Sequence, residues 1–314
     1  MFIKVKQAYR MVSGDPKSIV PELKPAVYKV SLVVEGMDKF VQFEETKRYK
    51  STKIIDAGVF KKIDTYIDNF LADEMFEARK ILGMYNKLGL MFTGTPGSGK
   101  TMLAGQIAQK FVDKKQAIAI MTNTFWEFDL PKLVDAVREQ NPDSFVVVIM
   151  DEFEKCKEYK LQDGELLSYL DGNTSRDNVL NLALVNSTSS MKDFLLKRQG
   201  RFEQVYNFDE ENDSVLKAFI NCMTPKAFIG RLDTDYIARQ LISEKRRTVD
   251  SISIAIRDSI AEILYFDKHG AFKTFNSFAI SGISDKKVGF ETPVNFATED
   301  SDLCECAAEK CCAN

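Results

Sequence analysis

A glycine-rich run between an apolar segment and an amphipathic segment constrains this chain of 314 residues more than any other feature. The apolar residues 88–92 before it indicate a buried strand, and residues 102–111 after it have the apolar spacing of a helix. This strand–loop–helix context predicts a phosphate-binding loop rather than a chance glycine-rich turn. The run fits the pattern G-x-x-x-x-G-K-[ST] and consists of Gly94, Thr95, Pro96, Gly97, Ser98, Gly99, Lys100 and Thr101.

Such a loop is suited to hold a nucleoside triphosphate. Backbone N–H groups of the turn, together with the positive end of the helix dipole, would surround the β-phosphate. Lys100 would reach the β- and γ-phosphates, and the hydroxyl of Thr101 would ligate Mg2+. We therefore expect all eight loop residues to contact the nucleotide or its metal ion.

Strand and helix patterns alternate after this loop. Residues 117–121 and 145–150 are uninterrupted apolar runs, residues 179–185 are apolar apart from Asn181, and a helical pattern begins at residue 130. Apolar strands that alternate with helices predict a parallel sheet covered by helices on both faces. The fold class expected is thus α/β, with the nucleotide at the carboxyl ends of the strands.

The flanking regions have different patterns. Residues 28–34 alternate between apolar and polar side chains and precede a turn and a second strand at 40–43, which predicts a hairpin. One helix is expected over residues 59–84, and only helical spacing follows residue 209. We predict four regions: a β-rich N-terminal segment (1–57), a nucleotide-binding α/β domain (58–208), a small helical lid domain (209–268) and a flexible extension (269–314).

Polar side chains follow two of the predicted strands. Asp151 and Glu152 come directly after the run 145–150, and Asn186 follows the run 179–185. A carboxylate at the first position can hold the metal ion, and an adjacent one can polarise the attacking water. We assign Asp151 to Mg2+ and Glu152 to the water. An amide at Asn186 could contact both the γ-phosphate and that water, although an asparagine after a strand is also a common turn residue.

Three stretches resemble the AAA family of ring ATPases, within the AAA+ group of P-loop NTPases. Residues 165–172 look like that family's Leu-Leu…Asp-Gly segment, and Asn186 occupies the position of its first sensor. Arg198 and Arg201, in the sequence Arg-Gln-Gly-Arg-Phe, look like its paired arginine fingers. The likeness covers about residues 55–265, with the motifs in order and at suitable spacings.

The resemblance implies ATP as the nucleotide, hydrolysis to ADP and phosphate, and a homo-oligomeric ring, most simply a hexamer. In such a ring, Arg198 and Arg201 would reach the active site of the neighbouring subunit and neutralise charge on the γ-phosphoryl group. Structural ion pairs are the alternative interpretation for both arginines.

Two positions depart from the family pattern. Members that thread polypeptide carry an aromatic–aliphatic–glycine pore loop, whereas this chain has Phe125 and Trp126 without the glycine. These aromatic side chains could grip a substrate or pack in a core. Arg246 and Arg247 are candidates for a second sensor, and a charged helix face explains them equally well.

Composition narrows the remaining possibilities. The net charge is −3, which gives no global electrostatic case for nucleic acid. No apolar run approaches the roughly 18 residues of a membrane span, and no signal peptide is evident, so an intracellular location is expected. The single histidine, His269, excludes a multi-histidine metal site.

The terminal Cys304, Cys306, Cys311 and Cys312 lack a common zinc spacing and are expected to be free thiols, with metal capture or lipidation as alternatives.

Three functions remain open at this point. The leading hypothesis is a ring ATPase that remodels or translocates a protein partner. The second is an AAA+ motor or loader acting on nucleic acid, and the third is a nucleotide-regulated scaffold with little turnover. The intact set of Lys100, Asp151, Glu152 and the two arginines argues against the scaffold.

Overall fold

The chain forms two compact units, which are described separately. The first comprises Met1–Lys50, Asp64–Thr95 and Lys100–Asp209, and the second Ser51–Ile63, Pro96–Gly99 and Glu210–Asn314. The structure is a computed structural model, and it describes residues 2–5, 8–11, 23–35, 38–49, 54–124, 130–142, 144–157, 169–170, 177–186, 202–209, 213–271 and 273.

The first unit contains one mixed sheet with the strand order β1-β2-β4-β3-β6-β7-β8-β5-β9. Pairing is parallel from β3 through β6, β7, β8 and β5 to β9, and antiparallel among β1, β2, β4 and β3. The strands are β1 (Phe2–Val5), β2 (Ala8–Met11), β3 (Ala26–Glu35), β4 (Asp38–Glu45), β5 (Lys87–Thr93), β6 (Ile118–Thr122), β7 (Val146–Met150), β8 (Val179–Val185) and β9 (Gln204–Asn207).

The central parallel strands are almost wholly buried, as their apolar sequences predict. Helices α3 (Lys100–Lys115) and α4 (Leu130–Gln140) connect consecutive strands of this part of the sheet. Apolar side chains such as Phe111 and Val134 are completely buried. The expected α/β fold with a parallel P-loop sheet and helices around it is therefore confirmed, including the N-terminal hairpin.

The sheet is larger than the sequence predicts. Strand β9 carries too weak a pattern to be expected, and β3 continues the parallel sheet by pairing with β6 from Ala26↔Ile118 to Lys29↔Met121. The proposed domain boundaries at residues 57, 208 and 268 stay predictions. The first compact unit combines Met1–Lys50 with later segments of the chain, and a compact unit is not necessarily a domain.

The single helix expected over residues 59–84 is two helices, α1 (Gly58–Leu71) and α2 (Asp73–Ile81). Between them Ala72 is extended, with φ −63° and ψ 139°. The Arg79 guanidinium donates to the carbonyl of Phe70 at 3.4 Å and lies 4.1 Å from the centre of its ring. This side chain therefore satisfies a carbonyl that the end of α1 leaves without a helical partner.

The second unit is helical where the structure describes it after residue 209. It contains α5 (Asp213–Met223), α6 (Thr234–Ser243) and α7 (Val249–His269), as the spacing predicts. Side-chain caps begin two of these helices: Asp233 accepts from the N–H of Tyr236 at 2.9 Å, and Thr248 accepts from that of Ser251 at 3.2 Å. These caps specify the starts of α6 and α7.

Candidate nucleotide-binding site

The glycine-rich run lies directly between β5 and α3, as predicted. Three of its residues have positive φ: Gly94 at 146°, Gly97 at 81° and Gly99 at 97°. Residues with a Cβ rarely adopt these values, so the backbone itself requires glycine at these positions. A turn of this kind directs N–H groups inward, which suits a phosphate.

The middle of the run packs within the second unit. The carbonyl of Gly97 accepts from the N–H of Asp250, in the first turn of α7, at 3.1 Å. A Cβ on Gly97 would lie 2.7 Å from Oδ2 of Asp250, and one on Gly99 would lie 2.8 Å from Cζ of Phe60. Close approach is thus a second reason, beside φ, why these two positions need glycine.

Lys100 is only 6% exposed, and its ammonium group is turned onto the loop. Nζ donates to the carbonyls of Gly94 at 2.6 Å and Thr95 at 2.9 Å. Burial lowers the pKa of Lys100, while the negative charges of Asp209, Asp151 and Glu154 act in the opposite direction. The cation is thus held where a phosphate could replace the carbonyl partners.

Thr101 and Asp151 meet although they lie 50 positions apart. The hydroxyl of Thr101, in the first turn of α3, donates to Oδ2 of Asp151 at 3.2 Å. Asp151 directly follows β7, and its Oδ1 accepts from the N–H of Glu152 at 2.9 Å. Burial raises the pKa of Asp151, and both hydrogen bonds oppose that shift.

These oxygen ligands fit Mg2+ held together with a nucleotide. Mg2+ usually takes one or two protein ligands and completes its shell with phosphate oxygens and water. The hydroxyl of Thr101 and the carboxylate of Asp151 supply that number. Within the described residues there is no group of three or more His, Cys, Asp or Glu side chains that could hold a metal ion alone.

The two remaining polar residues of the predicted site have partners that the sequence did not suggest. Glu152 has a positive φ of 53°, and its Oε2 accepts from Nζ of Lys155 at 2.7 Å. Nδ2 of Asn186 donates to Oε1 of Glu154 at 2.9 Å. Glu154 therefore lies beside the predicted site residue Asn186, and its position three residues after Asp151 is the signal in the sequence that could have indicated it.

Asp209 is a further residue that sequence reasoning missed. It follows β9, and its carboxylate accepts three hydrogen bonds from Thr95. Since β9 was not expected, no pattern placed this acid beside the loop.

Several predicted residues lie outside the described part of the chain. They include both arginines of the Arg-Gln-Gly-Arg-Phe sequence, the two aromatic residues without the pore-loop glycine, and the terminal cysteines. Of the second-sensor candidates, Arg246 contacts Oε2 of Glu244 at 3.2 Å, and Arg247 is exposed. The predicted residues that lie outside the described part of the chain are Arg198, Arg201, Phe125, Trp126, Cys304, Cys306, Cys311 and Cys312.

Residues 90–210 match the model of one protein family, described as the ATPase family associated with various cellular activities (AAA). The match begins inside β5 and ends just after β9, so it contains Lys100, Thr101, Asp151, Asn186 and Asp209. Among the described residues, no helix combines the length and the apolar character needed to cross a membrane.

Proposed function

From the match of residues 90–210 to the AAA family, we propose that the chain is an ATPase of the AAA+ type. It forms a homo-oligomeric ring that uses ATP hydrolysis to remodel or translocate a protein partner. The hydrogen bond between Thr101 and Asp151 is the observation that supports the ATPase part of this proposal. It joins the start of the loop's helix to the carboxyl end of β7, which is the arrangement needed for nucleotide-bound Mg2+.

The residues around this pair have complementary roles in the proposed reaction. Lys100 would exchange the carbonyls of Gly94 and Thr95 for the β- and γ-phosphates. Bound Mg2+ would neutralise phosphate charge, with Thr101 and Asp151 as its protein contacts. The other six loop residues would surround the phosphates through their backbone.

Glu152 is the proposed base for hydrolysis. Its carboxylate would take a proton from water as the oxygen attacks the γ-phosphorus, and ADP would leave with the electrons of the broken P–O bond. Asn186 would orient that water and contact the γ-phosphate. Both groups first have to leave partners, Lys155 for Glu152 and Glu154 for Asn186.

Arg198 and Arg201 complete the proposed site from the neighbouring subunit. Charge that spreads over the γ-phosphoryl oxygens in the transition state suits a bidentate guanidinium. Family membership favours oligomeric assembly, and a hexamer is the ring size we propose. A lone subunit should then hydrolyse ATP poorly, because such fingers contribute about 10³–10⁵ in rate.

The proposed partner is a protein rather than nucleic acid. The net charge of −3 gives no general attraction for phosphate backbones, and the sequence has no recognisable DNA-binding motif. A motor or loader for nucleic acid is therefore the less favoured alternative. The proposed setting is intracellular, where ATP would be supplied.

Glu152→Gln tests the hydrolytic role. We expect kcat to fall by at least about 10²-fold, because a general base is lost, while ATP binding measured by titration stays close to wild type. Normal turnover in this variant would contradict the role of Glu152 as the base.

The same variant tests the partner class. Because it should hold ATP without hydrolysing it, Glu152→Gln should retain bound partners for identification, with Lys100→Ala as the matched chain that cannot bind ATP. Wild-type turnover that is stimulated by single-stranded DNA and by none of the retained proteins would overturn the preference for protein.

A further inference from the structure

Thr95, the residue after Gly94, is hydrogen-bonded to the carboxylate of Asp209, which lies just after strand β9. Oδ1 and Oδ2 of Asp209 accept from the N–H of Thr95 at 2.9 and 3.0 Å, and Oδ1 also accepts from its hydroxyl at 2.9 Å. We propose that Asp209 is a positioning residue, which orients the loop's first peptide and thereby the carbonyl that holds Lys100.

Peptide geometry connects Asp209 to Lys100. The peptide between Gly94 and Thr95 is planar and trans, so its N–H and its C=O point in opposite directions. Asp209 binds the N–H side, and Nζ of Lys100 binds the C=O side at 2.6 Å. Fixing the N–H therefore fixes the acceptor of Lys100.

The peptide needs such a constraint because of the residue that precedes it. Gly94 has φ 146°, and glycine is the residue that rotates most freely about its backbone bonds. A loop that is already ordered loses less conformational entropy when a phosphate binds. Hydrogen bonds to Asp209 would thus favour nucleotide binding without any contact between this residue and the nucleotide.

The pairing of strand β9 with β5 places Asp209 beside the start of the loop. The N–H of Phe208 donates to the carbonyl of Thr93 at 2.8 Å, and Thr93 pairs with Asn207 in the parallel register. The side chain of Asn207 in turn accepts from the N–H of Asp209 at 3.1 Å. The acid is therefore placed by the same sheet that places the loop.

Asp177 is a matched control at the other end of β5. Its carboxylate also accepts a backbone N–H, that of Asn86, directly before this strand, and both acids are exposed. Replacing either acid removes a carboxylate that accepts a backbone N–H next to one end of β5. Only Asp209 is linked through a peptide to Lys100.

The test is a titration of the full-length chain with ADP and Mg2+, which requires neither hydrolysis nor a ring. Asp209→Ala should raise the Kd for ADP about five- to tenfold, the size expected for losing charge-assisted hydrogen bonds that are open to water. Asp177→Ala should change it less than about twofold, since it touches no part of the loop.

Asp209→Asn separates the hydrogen bonds from the charge. Its amide oxygen can still accept from Thr95, so we expect a Kd within about threefold of wild type. An unchanged Kd in Asp209→Ala, an equal rise in Asp177→Ala, or an Asp209→Asn as weak as Asp209→Ala would each overturn the inference.

The inference rests on the proposed function only in taking Lys100 as a phosphate ligand. If the wild-type chain did not bind ADP, both would fail. If it bound ADP with the expected order of variants yet hydrolysed no ATP, the proposed function alone would fail.

Discussion

The two parts of the sheet share a core but differ in the use of their strand ends. Strands β6, β7, β8, β5 and β9 are parallel, so the residues that follow them lie at one edge; Asp151 follows β7, Asn186 follows β8 and Asp209 follows β9. In the N-terminal part, β4 runs antiparallel to β2 and β3, so consecutive strand ends lie at opposite edges. Parallel pairing is what gathers side chains from distant sequence into one site.

The largest effect expected from this comparison concerns two asparagines of the β8 segment. Asn186→Ala should lower kcat about 10- to 100-fold, because it removes a polar group from the γ-phosphate side of the proposed site. Steady-state ATPase kinetics measure this effect.

Asn181→Ala is the matched control within the same strand. Asn181 is buried and accepts from the hydroxyl of Tyr169 at 2.8 Å, so its loss should cost about 1–3 kcal/mol of unfolding free energy. Its kcat should stay close to that of wild type. Equal losses of kcat in both variants would break the distinction between strand interior and strand end.

A second prediction concerns the chain that follows β4. Tyr49 is 4% exposed, and a Cβ on Gly105 of α3 would lie closer than 3.0 Å to its ring. Gly105→Ala should therefore destabilise the protein by about 1–3 kcal/mol through overpacking, measured by urea unfolding.

The same substitution in a Tyr49→Ala background separates packing from helix propensity. There Gly105→Ala should be neutral, or stabilising by up to about 1 kcal/mol, because alanine favours a helix over glycine. A loss of stability that persisted without the tyrosine ring would exclude this contact as its cause.

The smallest effect is expected at an exposed position of β3, the strand that joins the antiparallel and parallel parts of the sheet. Val34 of β3 is 60% exposed, so Val34→Thr should change the unfolding free energy by less than about 0.5 kcal/mol. Val30 of the same strand is 1% exposed, and Val30→Thr should cost about 1–3 kcal/mol because it buries a hydroxyl. Neither variant should alter the Kd for ADP. A change of that Kd in either variant would show that β3 acts on the site.

The central fold could be predicted because its signals are local. Predominantly apolar runs indicate β5, β6, β7 and β8. The loop motif is typical of a turn between a strand and a helix, so it predicts both of its neighbours. Lys100, Thr101 and Asp151 then came together as a consequence of parallel pairing. Their chemical roles stay predictions.

Three features that depend on non-local contacts could not be predicted: strand β9, the break at Ala72 and the position of Asp209. Strand β9 has only four residues, and the first two, Gln204 and Val205, are exposed, so it shows no apolar pattern. Backbone pairing with β5 holds it in the sheet. At the break at Ala72, the carbonyl of Phe70 accepts a hydrogen bond from the side chain of Arg79, and no local pattern indicates this contact. Asp209 depended on β9, so it was missed for the same reason.

The most direct test of the account is turnover by an equal mixture of two inactive chains. Lys100→Ala keeps the arginines and loses the phosphate site, whereas Arg201→Ala keeps the site and loses an arginine. If the ATPase site is completed by a neighbour, the mixture should hydrolyse ATP faster than the sum of the separate chains. Turnover no higher than that sum, in samples where co-purification demonstrates mixed assemblies, would contradict the account.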